Sequence, residues 1–168
     1  MIEFRPLDDA DLQQIEAWLR REHVAEWWRD PLEIAVEKRR AAIEGHRDLD
    51  QYVIVEEGRD VGMIQTYLVA DHPEWGAAIG AEPEAAGVDL FIGEVDAAGR
   101  GLGPAVLEQF AREVVFARAE TTAAVATVEE ANRRSWRAFE KAGFEHVRDV
   151  EEEGLPHRLM RLERRYAQ

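Results

Sequence analysis

The chain has 168 residues with 35 acidic and 21 basic side chains, a formal net charge of −14, and no cysteine. The length fits one domain, residues 1–168, with a core of its own. The missing thiols exclude disulfides, thiolate metal sites and a cysteine nucleophile. The negative charge predicts no nucleic-acid partner and no docking on an anionic membrane, and it favours a cationic small-molecule ligand. No stretch reaches the ~20 apolar residues of a membrane span. The start, Met1-Ile2-Glu3-Phe4-Arg5-Pro6, lacks a basic region followed by an apolar run, so a cytoplasmic location is expected.

In chain order, Ile2–Leu7 alternates apolar and polar residues and predicts a strand. Asp8 or Asp9 then caps a helix carrying Leu12, Ile15, Trp18 and Leu19. Asp30-Pro31 opens a second helix to about Glu44. Tyr52–Val55 and Val61–Val69 form a hairpin across Glu57-Gly58-Arg59-Asp60. Residues 71–86 read as a Pro/Gly/Glu-rich loop, and Val88–Ile92 as a strand. A helix is expected from Pro104 to about Ala119, followed by a strand over Ala123–Val128. Asn132 caps a further helix that ends at Gly143. Phe144–Val150 and Arg158–Glu163 are strands joined by Glu153-Gly154-Leu155-Pro156. The order predicts an α/β fold with a sheet of mixed direction, since it holds both hairpins and strand–helix–strand crossovers.

Two features carry chemistry. From Asp60 to Gly99 there is no Lys or Arg, while eight carboxylates, Asp89 among them, fall in that interval. A solvated acidic surface is the plain alternative. Gly99-Arg100-Gly101-Leu102-Gly103 then lies between a strand and a helix, where glycines let backbone N–H groups approach an oxyanion and the helix start adds positive dipole. It is neither a P-loop nor a dinucleotide fingerprint. A flexible connection is the alternative reading. The five histidines have no metal-ligand spacing, so no metal is expected.

Val88-Asp89-Leu90-Phe91-Ile92-Gly93, then Gly99–Gly103, Asn132 and Phe139-Glu140-Lys141-Ala142-Gly143-Phe144 resemble, in that order, the GNAT superfamily of N-acyltransferases. The likeness covers essentially the whole chain. His23-Val24-Ala25-Glu26-Trp27-Trp28, Gln65-Thr66-Tyr67 and Gly87-Val88-Asp89 are similar to the aminoglycoside 6′-N-acetyltransferases. The resemblance implies a mixed, mostly antiparallel sheet with splayed central strands, flanked by helices. It implies acetyl-CoA as acyl donor and a cationic amine as acceptor, in a monomer or homodimer.

By the same resemblance, Phe91, Ile92 and Gly93 hold the thioester carbonyl, and Gly99, Arg100, Gly101, Leu102, Gly103 and Pro104 hold the pyrophosphate. Asn132 contacts the cofactor arm, and Asp89 faces the acceptor amine as base or orienting group. Trp27, Trp28, Tyr67, Glu74 and Glu153 bind the acceptor, with core packing the alternative for either tryptophan. The chain departs from the family at Ala98, where an Arg or Gln usually opens the pyrophosphate motif. It departs at Phe139, in place of a Tyr that protonates the leaving thiolate. It departs again at Thr127, in place of an acidic substrate contact that Glu129 or Glu130 would have to replace. Acylation of a hydroxylysine-type amine, a polyamine or a protein N-terminus, and a non-catalytic binding module, are the competing functions.

Overall fold

The computed structural model describes residues 1–167. Its elements are β1 (Ile2–Pro6), α1 (Leu12–Arg20), α2 (Glu22–Ala25), α3 (Leu32–Ile43), β2 (Asp50–Glu56), β3 (Arg59–Leu68), α4 (Pro73–Ile79), β4 (Ala86–Ile92), α5 (Leu102–Glu113), β5 (Ala123–Glu129), α6 (Arg133–Lys141), β6 (Glu145–Glu152) and β7 (Leu155–Glu163). The strands are hydrogen-bonded in the order β1-β2-β3-β4-β5-β7-β6. β1–β2, β2–β3, β5–β7 and β6–β7 are antiparallel, and β4–β5 is parallel. This is the mixed, mostly antiparallel sheet that was expected. A parallel neighbour needs a crossover connection, and α5 supplies it. By packing, the described residues divide into two compact units: Met1–Thr66 with Asp89–Arg100, and Tyr67–Val88 with residues 101–167.

In the first unit, Asp8 and Asp11 form a capping box that starts the turn leading into α1. Arg5 forks onto Asp11 with two hydrogen bonds of 3.0 Å. α1 turns Leu12, Ile15, Trp18 and Leu19 inward. Ile15, Trp18 and Leu19 join Val24, Val53, Met63 and Phe91 in one core, each burial worth roughly 1.5–3 kcal/mol. Glu57 and Gly58 both have positive φ, the signature of a two-residue hairpin turn, and they connect β2 to β3. The core is tight against β3 and β4. A Cβ on Gly62 would lie 2.3 Å from the Phe91 carbonyl oxygen, and one on Gly93 2.2 Å from the Trp18 ring.

In the second unit, α5 buries Leu102, Val106, Leu107, Phe110 and Ala111. β4 and β5 pair at Ala86↔Ala124 and Gly87↔Val125, a ladder two pairs long. Asn132 caps α6 as expected, its side-chain oxygen accepting the Ser135 amide at 3.3 Å. Gly143, with φ +97°, ends that helix. Phe139 packs edge-on against Phe144 with centroids 5.0 Å apart, so its ring belongs to the interior. Glu82 accepts a fork from Arg161 at 2.8 and 2.6 Å and a hydroxyl from Thr122 at 2.7 Å.

Four expectations about elements need correction. Residues 71–86 hold α4, begun by Pro73 in its first turn and ended by Gly80 in the left-handed conformation. α5 starts at Leu102, two residues before Pro104, and stops at Glu113. Pro104 is tolerated there because the first-turn N–H groups of a helix have no intrahelical partner. The β6–β7 turn is Glu153-Gly154 alone, both at positive φ, so Leu155 and Pro156 belong to β7. The β2–β3 turn is likewise Glu57-Gly58 alone, so Arg59 and Asp60 belong to β3. Beyond these expectations, a short helix, α2, stands before the Trp27-Trp28 pair.

Candidate active site

Asp89 is half-buried on β4 of the first unit. Its Oδ2 accepts the Gln65 side-chain amide at 3.0 Å. Gln65 on β3 is the register partner of Gln51 on β2. Gln51 in turn donates its amide to the Arg39 backbone carbonyl on α3 at 3.1 Å. A polar row therefore crosses three strands, and the next register pair on the same face, Val53↔Met63, is fully buried and apolar. Strand side chains alternate between faces, so Asp89 and Phe91 share one face of β4. Phe91 belongs to the same core as Val53 and Met63. The carboxylate thus stands where a packed apolar surface gives way to polar groups.

The C-terminal end of β4 is fastened by the segment after α1. The Val61 carbonyl accepts both the Gly93 and Glu94 amides, at 2.8 and 3.1 Å. The Gly93 carbonyl accepts Arg21 at 2.7 Å, and the Ile92 carbonyl pairs with His23 Nε2 at 2.9 Å. Glu94 takes the Trp18 indole N–H at 2.9 Å and Arg21 at 2.9 Å, and those two hydrogen bonds hold its carboxyl below the usual range. Of the three residues expected to hold a thioester carbonyl, Gly93 therefore has its own amide committed to the protein. His23 thus holds the strand end beside Phe91. Trp28 packs edge-on to Phe91 at 5.2 Å, with the Arg39 guanidinium 5.6 Å from its ring. Trp27 is half-buried.

The glycine stretch is open. Gly99 and Gly101 have φ of +80° and +77°, and a Cβ on Gly101 would meet nothing within 4 Å. Gly101 is the N-cap of α5 and no side chain caps the helix. The first amides of α5 are thus unpaired by helix geometry and accessible through a residue without a side chain, a donor set that suits a diphosphate. Gly103 has ordinary room, its would-be Cβ lying 3.5 Å from Ala138. Arg100 is exposed and is oriented by the Asp96 carbonyl at 2.6 Å and Glu56 at 3.2 Å.

The second unit carries the other expected acceptor residues. Tyr67 lies over Gly87, where a Cβ would be 2.3 Å from its ring. It stands 5.5 Å from Trp75 and 5.2 Å from His72. Trp75 donates its indole N–H to Glu152 at 2.8 Å. Glu74 is exposed in the first turn of α4, and Glu153 is exposed at the β6–β7 turn with φ +51°. Trp75 is not singled out by the sequence because α4 reads there as a loop, with Pro73 and Gly80 its available signals; Glu152 shows in the sequence only as one of an acidic cluster with Asp149, Glu151 and Glu153. Glu130, one of the two acids expected to stand in for the one missing at Thr127, is engaged within the protein. Arg158 binds it in a fork at 2.7 and 3.0 Å, so its charge is already compensated. Among the described residues, no group of three or more His, Cys, Asp or Glu is placed to hold a metal ion. No helix among them is long and apolar enough to cross a membrane.

The acetyltransferase (GNAT) domain model matches residues 8–152, which includes Asp89, the glycine stretch and Asn132. The chain belongs to the GNAT acetyltransferase family. This GNAT enzyme is an acetyl-CoA-dependent N-acetyltransferase. It is 26% identical over 149 residues to aminoglycoside N(6′)-acetyltransferase type 1 of Klebsiella pneumoniae, spanning 86% of this chain and 74% of that protein. Its fold matches the crystal structure of aminoglycoside acetyltransferase AAC(6′)-Ib in complex with coenzyme A, with a TM-score of 0.83 and 25% identity. That match covers 99% of this chain and 96% of that one. The fold is shared as well with spermidine N-acetyltransferase from Vibrio cholerae in complex with CoA and spermine, with a TM-score of 0.74 at 13% identity, over 99% and 97% of the two chains.

Proposed function

We propose that this GNAT enzyme acetylates the 6′-amine of aminoglycosides by direct transfer from acetyl-CoA, with the whole chain acting as one N-acetyltransferase domain. The observation that carries this reading is Asp89, a carboxylate held on β4 by Gln65 in a chain related over most of its length to 6′-N-acetyltransferases. In the reaction the amine nitrogen forms a bond to the acetyl carbon, the carbon–sulfur bond breaks and the thiolate leaves; starting from the ammonium, the nitrogen loses one proton before attack and a second as the amide forms. An ammonium has no lone pair, so Asp89 serves by orienting the amine and drawing its proton away, directly or through water.

The donor brings the activated thioester. Backbone amides near Phe91 and Ile92 face its carbonyl, where negative charge develops as the amine attacks. The first amides of α5, from Leu102 and Gly103, hold the diphosphate, with Arg100 adding charge. The room above Gly101 supports this role, since nothing in the protein fills it. Asn132 keeps its side-chain oxygen for the α6 cap and offers its amide nitrogen to the cofactor arm. In the second unit, the faces of Tyr67 and Trp75 and the carboxylates Glu74 and Glu153 receive the other cationic groups of the acceptor. Phe139 has no proton to give. A thiol of pKa about 8.5 is a tolerable leaving group without an acid.

The test is release of free thiol from acetyl-CoA with a panel of acceptors: aminoglycosides bearing a 6′-amine, one bearing a 6′-hydroxyl, hydroxylysine, spermidine and a peptide. Turnover confined to the 6′-amino compounds is expected. Turnover with hydroxylysine, spermidine or the peptide alone would remove the aminoglycoside assignment while leaving the chemistry intact.

A further inference from the structure

Gln65 and Gln51 are 6% and 7% exposed, and each leaves its side-chain carbonyl oxygen buried without a hydrogen-bond partner. An orphaned buried carbonyl is a standing cost, and an apolar side chain of similar size at either site would avoid it. For Gln51 the compensation is local, because its amide holds the α3 backbone at Arg39. For Gln65 the compensation lies on β4, where its amide N–H reaches Asp89 Oδ2 at 3.0 Å. We infer that Gln65 is the positioning residue of Asp89: its amide fixes the rotation of the carboxylate and favours the ionised form, and its unsatisfied oxygen is the cost of holding it there.

An N–H donor stabilises a carboxylate over the carboxylic acid, which has a proton of its own on one oxygen. It does so without adding a charge that would repel an ammonium acceptor. Gln65 is held in turn from the other side. β3 fixes its backbone in register with Gln51, and a one-residue slip would send every side chain of the strand to the opposite face. The sequence shows Gln65 only as one residue of a three-residue likeness; the register assigns it this role. The inference rests on the reading of Asp89 as the carboxylate facing the acceptor amine.

Two variants test it in the full-length chain, with Asp89→Asn alongside. Gln65→Met removes the donor at nearly constant volume, and Gln65→Glu replaces it with a second carboxylate. Gln65→Met should lower kcat by roughly tenfold, the worth of one hydrogen bond to a charged group, with KM for acetyl-CoA within about twofold of the parent. The acidic limb of its kcat–pH profile should move to higher pH. Gln65→Glu should move that limb further, by about one pH unit or more, because two carboxylates at hydrogen-bond distance share a proton. Gln65→Met is uncharged and stands as the deciding variant if buried charge keeps Gln65→Glu from folding. A folded Gln65→Met whose pH limb coincides with the parent's would overturn the inference, whatever its kcat. Parental turnover by Asp89→Asn would instead overturn the reading on which the inference stands. An inactive Asp89→Asn with an unmoved Gln65→Met limb would overturn the inference alone.

Discussion

Gly93 and Gly101 both lie in segments that marked this chain as an acyltransferase, yet they are glycines for opposite reasons. Gly93 closes β4 in the first unit and has no room, since any side chain would enter the Trp18 ring. Gly101 opens α5 in the second unit and has only room, with its backbone at φ +77°. The first glycine answers to the interior of the protein, and the second to whatever comes from outside. A motif read from sequence does not separate the two, because both appear as the same letter.

Gly93→Ala should have the largest effect, costing about 2–3 kcal/mol by overpacking and lowering Tm by roughly 5–10 °C. Thermal and urea unfolding would check it, and an unchanged midpoint would break the comparison at its packed end. Gly101→Ala should cost only the strain of a left-handed residue, about 1–2 kcal/mol. Its acetyl-CoA affinity should fall by roughly tenfold, because a methyl group then stands over the first amides of α5. Calorimetric titration would measure that loss, and parental affinity would break the open end.

The same contrast divides the carboxylates of the second unit. Glu82 is enclosed by Arg161 and Thr122, and the Arg161 hydrogen bonds draw its pKa from 4.5 to about 2. A carboxyl depressed in the folded state contributes stability above its unfolded pKa and loses it as pH falls through the folded one. Glu82→Gln should therefore cost about 1–2 kcal/mol at neutral pH. The gap from the parent should close between pH 4.5 and about 2. A gap independent of pH in unfolding experiments would refute the pairing. Glu74 is exposed, and Glu74→Gln should leave stability within about 0.5 kcal/mol. It should raise KM for a polycationic acceptor about twofold at low salt, with the difference vanishing at high ionic strength. A salt-independent difference would argue for a direct, desolvated contact.

Local grammar made much of this fold legible. The Asn132 cap, the Gly143 stop, the presence of a turn at Glu57-Gly58 and the order of the seven strands all follow from residues close in sequence. α4 is hidden because Trp75 and Gly76 dilute its helical pattern, while its signals, Pro73 at the start and Gly80 at the end, also fit a loop. The start of α5 was placed late because Gly101-Leu102-Gly103 has poor helix propensity, which the burial of Leu102 overrides. At the candidate site, Asp89 and the glycine stretch were legible through resemblance. Gln65 was not, since its role depends on cross-strand register and on a hydrogen bond spanning 24 residues of sequence. The pairing of Glu130 with Arg158 is hidden for a related reason: nothing near Glu130 in the chain announces Arg158.

The contact between His23 and the Ile92 carbonyl has a spectroscopic consequence. A carbonyl oxygen only accepts, so Nε2 of His23 must carry a proton. That proton is anchored to the end of the strand that bears Asp89, and it should exchange slowly enough with water to give a distinct imidazole N–H resonance. The molecule thereby contains its own label. A ligand that shifts the end of β4 would be seen at one ring, with no substitution and no attached probe.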